Sequence, residues 1–417
     1  MGILAGMITD SRTLPSARSE QADAAADGRR SLVVVGVNHA LHDGYTDMIY
    51  VLLPVWQAEF GLGYVALAVL RSLYVGALAG LQMPSAALAD RFGVRTVLAL
   101  GTLLGAGGYA LAGASGGLIG LCCALALSGA GSSTQHPLAS SVIARAYGAA
   151  ARGPLGTYNF TGDLGKAALP PLVGFLLVRT DWRPVLWLVA GAGLVVAVVV
   201  ACLLPREPAS RVTASAKTAS PVPTRASDPT GFRLLVAIGM LDNAARPAFL
   251  IYLPFLLQAK GAGLSLVGIA FALVAIGGAL GKAVFGRLGE RFGVTRSVIL
   301  TEAGTAVAIL AVVLLPLAPA LAVLPLLGLM LNGTSSVLYG TVPDLAPAGQ
   351  VERAFAIFYT WTLGGSALAT PLLYGPLGDI VGPGWAAMAA AATAAMVVPL
   401  MLCLSPRLTD PSTQETP

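Results

Sequence analysis

The sequence predicts an all-α membrane protein of twelve transmembrane helices, arranged as two pseudo-symmetric halves of six. Three observations carry that expectation: a composition too apolar for water, twelve apolar runs at spanning length, and a motif that returns after 200 residues. Of the 417 residues, 56% are hydrophobic and 11% charged, and the mean hydropathy is +0.78. A soluble domain carries about 25% charge, so this chain has too little polar material to cover a water-facing surface.

Taken in order, residues 1–30 contain Ala, Ser and Arg but no apolar core ahead of a cleavage site. They predict a disordered cytoplasmic tail and not a signal peptide. The N-terminal half, 31–204, holds apolar runs near 31–55, 64–87, 96–114, 117–142, 154–178 and 184–204. Each approaches the roughly 20 residues needed to span a bilayer, and Val185 to Leu204 carries no charge at all. Residues 205–232, rich in Pro, Ser, Thr and Ala, predict a flexible cytoplasmic linker. The C-terminal half, 233–404, repeats the pattern near 233–257, 264–286, 297–317, 320–342, 354–376 and 384–404, and 405–417 forms a cytoplasmic tail.

Basic residues orient the chain. With both termini inside, eighteen of the 25 Lys and Arg fall in cytoplasmic segments and three (Arg179, Arg183, Lys260) outside, the bias expected of an inner-membrane protein. The net charge of +5 is spread between apolar runs, which argues against a nucleic-acid partner. Cys122, Cys123, Cys202 and Cys403 lie inside apolar segments without metal-ligand spacing and read as buried small hydrophobes.

The repeat is explicit. Leu88 to Val94 and Leu288 to Val294 share Leu, Arg, Phe, Gly and Val, and Leu53-Pro54 returns as Leu253-Pro254. Such a repeat, related by an axis along the membrane normal, is one way transporters build a central pathway.

At these residues the chain resembles the major facilitator superfamily, whose cytoplasmic loop between helices 2 and 3 reads Gly-x-x-x-Asp-Arg-x-Gly-x-Arg. Asp90, Arg91, Gly93 and Arg95 fit, with Ala86 in the first Gly place; the second copy has Gly286, Glu290, Arg291, Gly293 and Arg296. The resemblance covers 31–404. It implies the major facilitator fold, alternating access, and a cytoplasmic gate made by these two loops. A narrower resemblance, to fosmidomycin-resistance-type exporters, rests on His39, Asp43, Pro54, Gln57, Glu59 and Phe60. It also rests on Gly131-Ser-Ser-Thr-Gln-His-Pro137 with Ser140 and Arg145. Leu125 stands where many proton antiporters of the superfamily have Arg. The fifth-helix glycine pattern survives only as Gly156, Gly165, Pro170 and Gly174, with Leu169 in a Gly place.

Charges within spanning helices cost about 2.5–3.5 kcal/mol each on insertion scales and so mark candidate sites. His39, His42, Asp43, Thr46, Asp47 and Tyr50 recur at helical spacing on one predicted stripe of the first helix. Asp43, His39, Asp47 and His136 are candidate proton-coupling groups. Candidate substrate contacts are His42, Tyr50, Arg71, Gln135, Asn159, Asp163, Lys166, Asp242, Asn243, Arg246, Asn332 and Tyr339. Asp163 with Lys166, and Asp242 with Arg246, are spaced to pair along one helix. Arg71 expects Asp43 or Asp47, Lys282 reads as a snorkelling side chain, and Glu302 has no assigned role.

The expected function is secondary active transport: proton-coupled export of a small polar or anionic compound or drug. No cofactor is expected; with no Gly-x-x-x-x-Gly-Lys-Ser/Thr loop, the energy comes from a proton gradient. Two alternatives stay open. One is export of a divalent metal or metallophore through the His and Asp set, and the other is uptake of a small organic anion. No resident metal and no enzymatic activity are expected. The partners are a small solute and the lipid bilayer, and the chain is expected to act as a monomer.

Overall fold

The computed structural model describes residues 17–205, 228–346 and 351–408. Within these the regular structure is helical, and it makes twelve crossings. In the first half these are α1 (Ala17–Phe60), α2 (Tyr64–Gly80) continued by α3 (Gln82–Phe92), and α4 (Val94–Ala114). They are followed by α5 (Leu118–Ser132) continued by α6 (Gln135–Tyr147), α7 (Arg152–Leu176) and α8 (Trp182–Leu203). In the second half come α9 (Pro229–Ala259) and α10 (Leu264–Leu314), whose arms Leu264–Phe285 and Arg291–Leu314 each cross. Then follow α11 (Leu317–Leu345), α12 (Val351–Ala369), which runs through a π-helical Thr370–Tyr374 into α13 (Gly375–Val381), and α14 (Pro383–Leu404). Among the described residues, nine crossings are apolar enough to span on composition alone. The three that are not are α1, α7 and α12–α13.

Several sequence boundaries move. The first helix starts at Ala17, not at 31, so residues 17–30 are helical and not a disordered tail. At 44 residues it is roughly 65 Å long, against a hydrocarbon core of about 30 Å, so its early turns project beyond the bilayer. The expected helix 64–87 bends by 45° between α2 and α3, because Pro84 has no N–H for the Gly80 carbonyl. The second half opens at Pro229, inside the expected linker, the rest of which (206–227) lies outside the described residues along with the extreme tails. Asp228 caps α9, accepting from the Gly231 and Thr230 amides at 2.9 and 3.1 Å, and Arg407 holds it at 2.9 Å. Those amide bonds, Gly231's first, and Arg407 hold the Asp228 carboxyl below its usual range.

The repeat extends to backbone torsions. Gly93 and Gly293 both sit at positive φ, 83° and 77°, a conformation in which a Cβ clashes. Gly63 and Gly263, which precede α2 and α10, share φ/ψ of −76/168° and −77/168°.

Small residues bring helices to backbone contact, as membrane packing requires. A Cβ on Gly165 would overlap the Ala40 carbonyl and lock α7 off α1; one on Gly277 would overlap the Pro325 carbonyl between α10 and α11. The perimeter is apolar, with Trp187, Val195, Leu314 and Leu402 exposed. Cys123, Cys202 and Cys403 are exposed on it too, and Cys122 is half-buried. They are not the buried small hydrophobes the sequence suggests, since lipid accepts an apolar thiol as readily as a core does.

The two halves meet at the end of the bundle that carries the 60–64 and 259–264 turns. Tyr64 packs against Tyr252 and Phe255 with ring centres 5.4 and 5.1 Å away, and Gly174 and Gly268 bring α7 onto α10. There Asp379 of α13 accepts from the Tyr64 and Val65 amides at 2.6 and 3.2 Å. It caps α2, whose own N-cap residue Gly63 has no side chain to do so.

Candidate functional site

Helix α1 divides its polar residues between two neighbourhoods, so the single stripe expected from the sequence does not hold. One group turns into the N-terminal half. His42 hydrogen-bonds Ser132 Oγ at 2.8 Å and Thr102 Oγ1 at 3.2 Å, using both ring nitrogens. Asn38 donates to Gln135 Oε1 at 2.6 Å, and Gln135 donates to the Val35 carbonyl at 3.3 Å. His42 and Gln135 are therefore occupied with joining α1 to α4, α5 and α6.

The second group makes a chain of alternating charges. The His39 ring stacks on Tyr158 at 4.1 Å, and its Nδ1 lies 2.9 Å from the Tyr158 carbonyl. A carbonyl only accepts, so Nδ1 carries a hydrogen. The other ring nitrogen, Nε2, has no hydrogen-bond partner and points at Asp43 Oδ2, 3.4 Å away. Lys166 holds the same Oδ2 at 2.9 Å and stands 4.0 Å from Asp163. Asp163 is bound at 2.6 Å by Lys282 of α10, across the two halves. Gly162 makes the room: a Cβ there would come within 2.5 Å of Asp43 Oδ2 and 2.6 Å of the His39 ring.

Two sequence readings are corrected here. Lys166 is bound most closely to Asp43 of another helix, not to Asp163 of its own. Lys282 does not snorkel but closes an inter-half ion pair. Sequence spacing could supply only partners on the same helix, whereas the packing of α7 between α1 and α10 supplies better ones.

Asp47, Lys166, Arg246 and Asn332 line a small cavity between the halves, next to Phe271. Asp47 feels the charges of Lys166, Arg71 and Arg246. Arg71 is buried and lies over the Tyr50 ring, 4.8 Å from its centre. Its Nε and Nη1 have no hydrogen-bond partner, so it is not bonded to Asp43 or Asp47 as expected. Tyr50 in turn stacks on Phe271 of the other half, 5.2 Å away.

Other expected contacts lie elsewhere. Among the described residues Asp242 makes no close ion pair with Arg246, although it feels that charge; it accepts from Ser335 at 3.3 Å beside Glu302. Asn243 donates to the Gly239 carbonyl of its own helix at 3.0 Å, and Asn332 to Gly328 at 2.9 Å. Tyr339 stacks on Tyr359 at 4.9 Å within the second half. Asn159 is exposed one turn before Asp163.

The gate residues are exposed and apart. Asp90, Arg91 and Gly93 lie at the end opposite the closed one, where Arg91 sits over Phe92 at 5.3 Å and Arg95 donates to the Ala201 carbonyl of its own half. Arg291 is likewise exposed, Gly293 and Arg296 stand beside it at the start of the second arm of α10, and the Glu290 side chain lies outside the described residues.

His39, Asp43 and His136 offer ligand atoms within 4.8 Å of one another. The Lys166 ammonium 2.9 Å from Asp43 already fills the cation's place, so the set fits a resident metal poorly.

Comparison with known proteins agrees with this architecture. A bacterial homologue of the human lysosomal transporter Spinster, inward-facing and unoccupied, superposes with a TM-score of 0.73 at 15% identity. That match covers 91% of this chain and 97% of the other. A bacterial Spinster homologue in an inward-facing, occupied conformation gives 0.71 at 17% identity, covering 91% and 98%. No curated protein sequence matches. The family model described as Major Facilitator Superfamily matches residues 36–370 and, again, 234–417. On that match, which spans most of both halves, this protein belongs to the Major Facilitator Superfamily and is a secondary transporter working by alternating access.

Proposed function

We propose that the protein couples proton movement to the export of a small polar or anionic compound through Asp43. The observation that carries this is the contact set of Asp43: one buried carboxylate between His39 Nε2 at 3.4 Å and the Lys166 ammonium at 2.9 Å. A proton arriving on Asp43 or His39 releases Lys166. A solute that takes Lys166 changes how strongly Asp43 holds a proton. Either event is communicated across the halves by Asp163 and Lys282.

Export is the direction implied by the narrower resemblance to fosmidomycin-resistance-type exporters. With both termini on the cytoplasmic side of a bacterial inner membrane, the state described here is open inward, since the halves meet at the outer end. Labelling from outside at Thr180→Cys but not at Ala149→Cys, in a cysteine-free background, checks that orientation.

A second reading, uptake of an anion with a proton, is favoured by one contact. An anion that takes Lys166 leaves Asp43 a buried carboxylate without its cation, and a proton must then accompany it. The metal-export reading is opposed by the same lysine. Purified protein in proteoliposomes decides among them. Under the proposal, adding solute releases protons, and Asp43→Asn abolishes gradient-driven accumulation while sparing solute exchange. Proton uptake on adding solute would move the assignment to symport. Undiminished accumulation and proton flux in Asp43→Asn would remove Asp43 as the coupling group.

A further inference from the structure

The mechanism above leaves two buried acids of the second half idle. Glu302, midway along the second arm of α10, is 2% exposed, and Asp242, midway along α9, is 6% exposed. Their carboxyl groups are held side by side by two adjacent residues of α11. Thr334 donates to Glu302 Oε1 at 2.6 Å and Ser335 donates to Asp242 Oδ2 at 3.3 Å. Among the described residues, no Lys or Arg forms an ion pair with either. Two adjacent buried carboxylates do not both ionise, so the pair keeps a proton.

The internal repeat supplies a control. At the shift of 200 residues, Asp242 and Glu302 correspond to His42 and Thr102. In the first half those two are hydrogen-bonded to each other at 3.2 Å, and Ser132 binds the other ring nitrogen of His42. Packing at this three-helix junction is therefore satisfied without any acid. The second half places two there, each at a desolvation cost that a purely structural contact does not need to incur.

We propose that Asp242 and Glu302 form a second proton-binding site, separate from Asp43, that holds one proton in the state described and uses Arg246 as the replacing cation. Arg246 lies one turn beyond Asp242 on α9 and faces the inter-half cavity with Asp47 and Lys166. The groups facing the pair are Arg246 on its own helix, Thr334, Ser335 and Tyr339 of α11, and, across the cavity, Asp47 and Lys166. When the proton leaves to cavity water, Arg246 turns to the pair and the cavity loses a cation. When the proton returns, Arg246 is restored to the cavity. The part this plays in turnover rests on the ion-driven transport reading, but the proton itself belongs to the resting protein.

The test is pH-difference infrared spectroscopy of the full-length protein in lipid nanodiscs. Wild type at neutral pH should show a protonated-carboxyl stretch that shifts in D2O. Glu302→Gln and Asp242→Asn should each remove it, while Asp43→Asn should keep it. A wild type without the band, or a band that survives in both dyad variants, overturns the proposal, and the wild-type arm needs no variant to fold. If Asp43→Asn retains the band and also retains gradient-driven accumulation, the coupling assignment to Asp43 fails while the dyad stands.

Discussion

Arg71 is a buried cation of the first half whose contacts carry a test of what the site binds. Its guanidinium lies over Tyr50 and presents two donors, Nε and Nη1, that nothing in the described chain accepts. Donors of this kind favour a carboxylate or phosphonate group, which a guanidinium grips with two parallel bonds. Arg71→Ala should therefore weaken binding of an anionic solute by roughly 1.5–3 kcal/mol, the worth of a charged hydrogen bond. A neutral analogue should be much less affected. Equal loss for both in an equilibrium binding assay would mean that Arg71 holds the fold instead.

At this scale the sequence was informative about which residues matter and silent about whom they touch. Asp43, Lys166, Asp163 and Arg246 stood out because charge is expensive in a membrane helix. Their partners did not, because spacing of three or four residues reports only neighbours on the same helix. Lys166 to Asp43 and Lys282 to Asp163 span 123 and 119 residues of chain. Glu302 was left unassigned for the same reason. Its counterpart at a shift of 200, Thr102, gave no hint of an acid.

Among the elements, α7 does the joining. Gly162 and Gly165 let it sit against α1 closely enough for Lys166 to reach Asp43. Neither glycine needs an unusual torsion; both are there for clearance, which a sequence pattern displays only weakly. Gly165→Ala should cost about 1–3 kcal/mol through overlap with the Ala40 carbonyl. Gly156→Ala, on the same helix with nothing near its Cβ, should be neutral or stabilising by about 0.4–1 kcal/mol. Thermal unfolding in detergent should order the variants that way, and equal midpoints would contradict the packing described.

The cap that α13 places on α2 is also an element-scale device. Opening the end at which the halves meet withdraws Asp379 from the Tyr64 and Val65 amides and leaves α2 without a side-chain cap. Asp379→Ala should lose about 0.5–2 kcal/mol of closure, the range for a helix cap. Thiol labelling of Val65→Cys from outside should then rise by about two- to thirtyfold. An unchanged rate would show that the aromatic contacts of Tyr64 alone keep this end shut.

For the whole molecule, twelve crossings, the two halves and the repeat were legible, because apolar run length and a 200-residue echo are properties of the chain itself. The bend between α2 and α3 and the extension of α1 back to Ala17 were not, since apolar run length marks neither a kink inside a span nor a helix that continues past its apolar part. The conformational state was not legible either: the same sequence must close at either end.

The charges buried along the pathway have a consequence for electrical behaviour. Arg71, Lys166, Arg246 and Lys282 are four cations; Asp43, Asp47 and Asp163 are three anions, and the Asp242–Glu302 pair supplies the fourth when it holds one proton. The core of the resting carrier is then electrically neutral, so its reorientation moves no net charge through the membrane field. One proton on Asp43 makes that core monovalent, and crossing then gains about 2.3 kcal/mol per 100 mV. In voltage-clamped proteoliposomes, exchange of a neutral solute should be indifferent to potential, while proton-driven turnover should accelerate as the receiving side becomes negative. Potential-dependent exchange would show that the empty carrier itself bears charge, and the membrane voltage would then act on the protein in every step of its cycle.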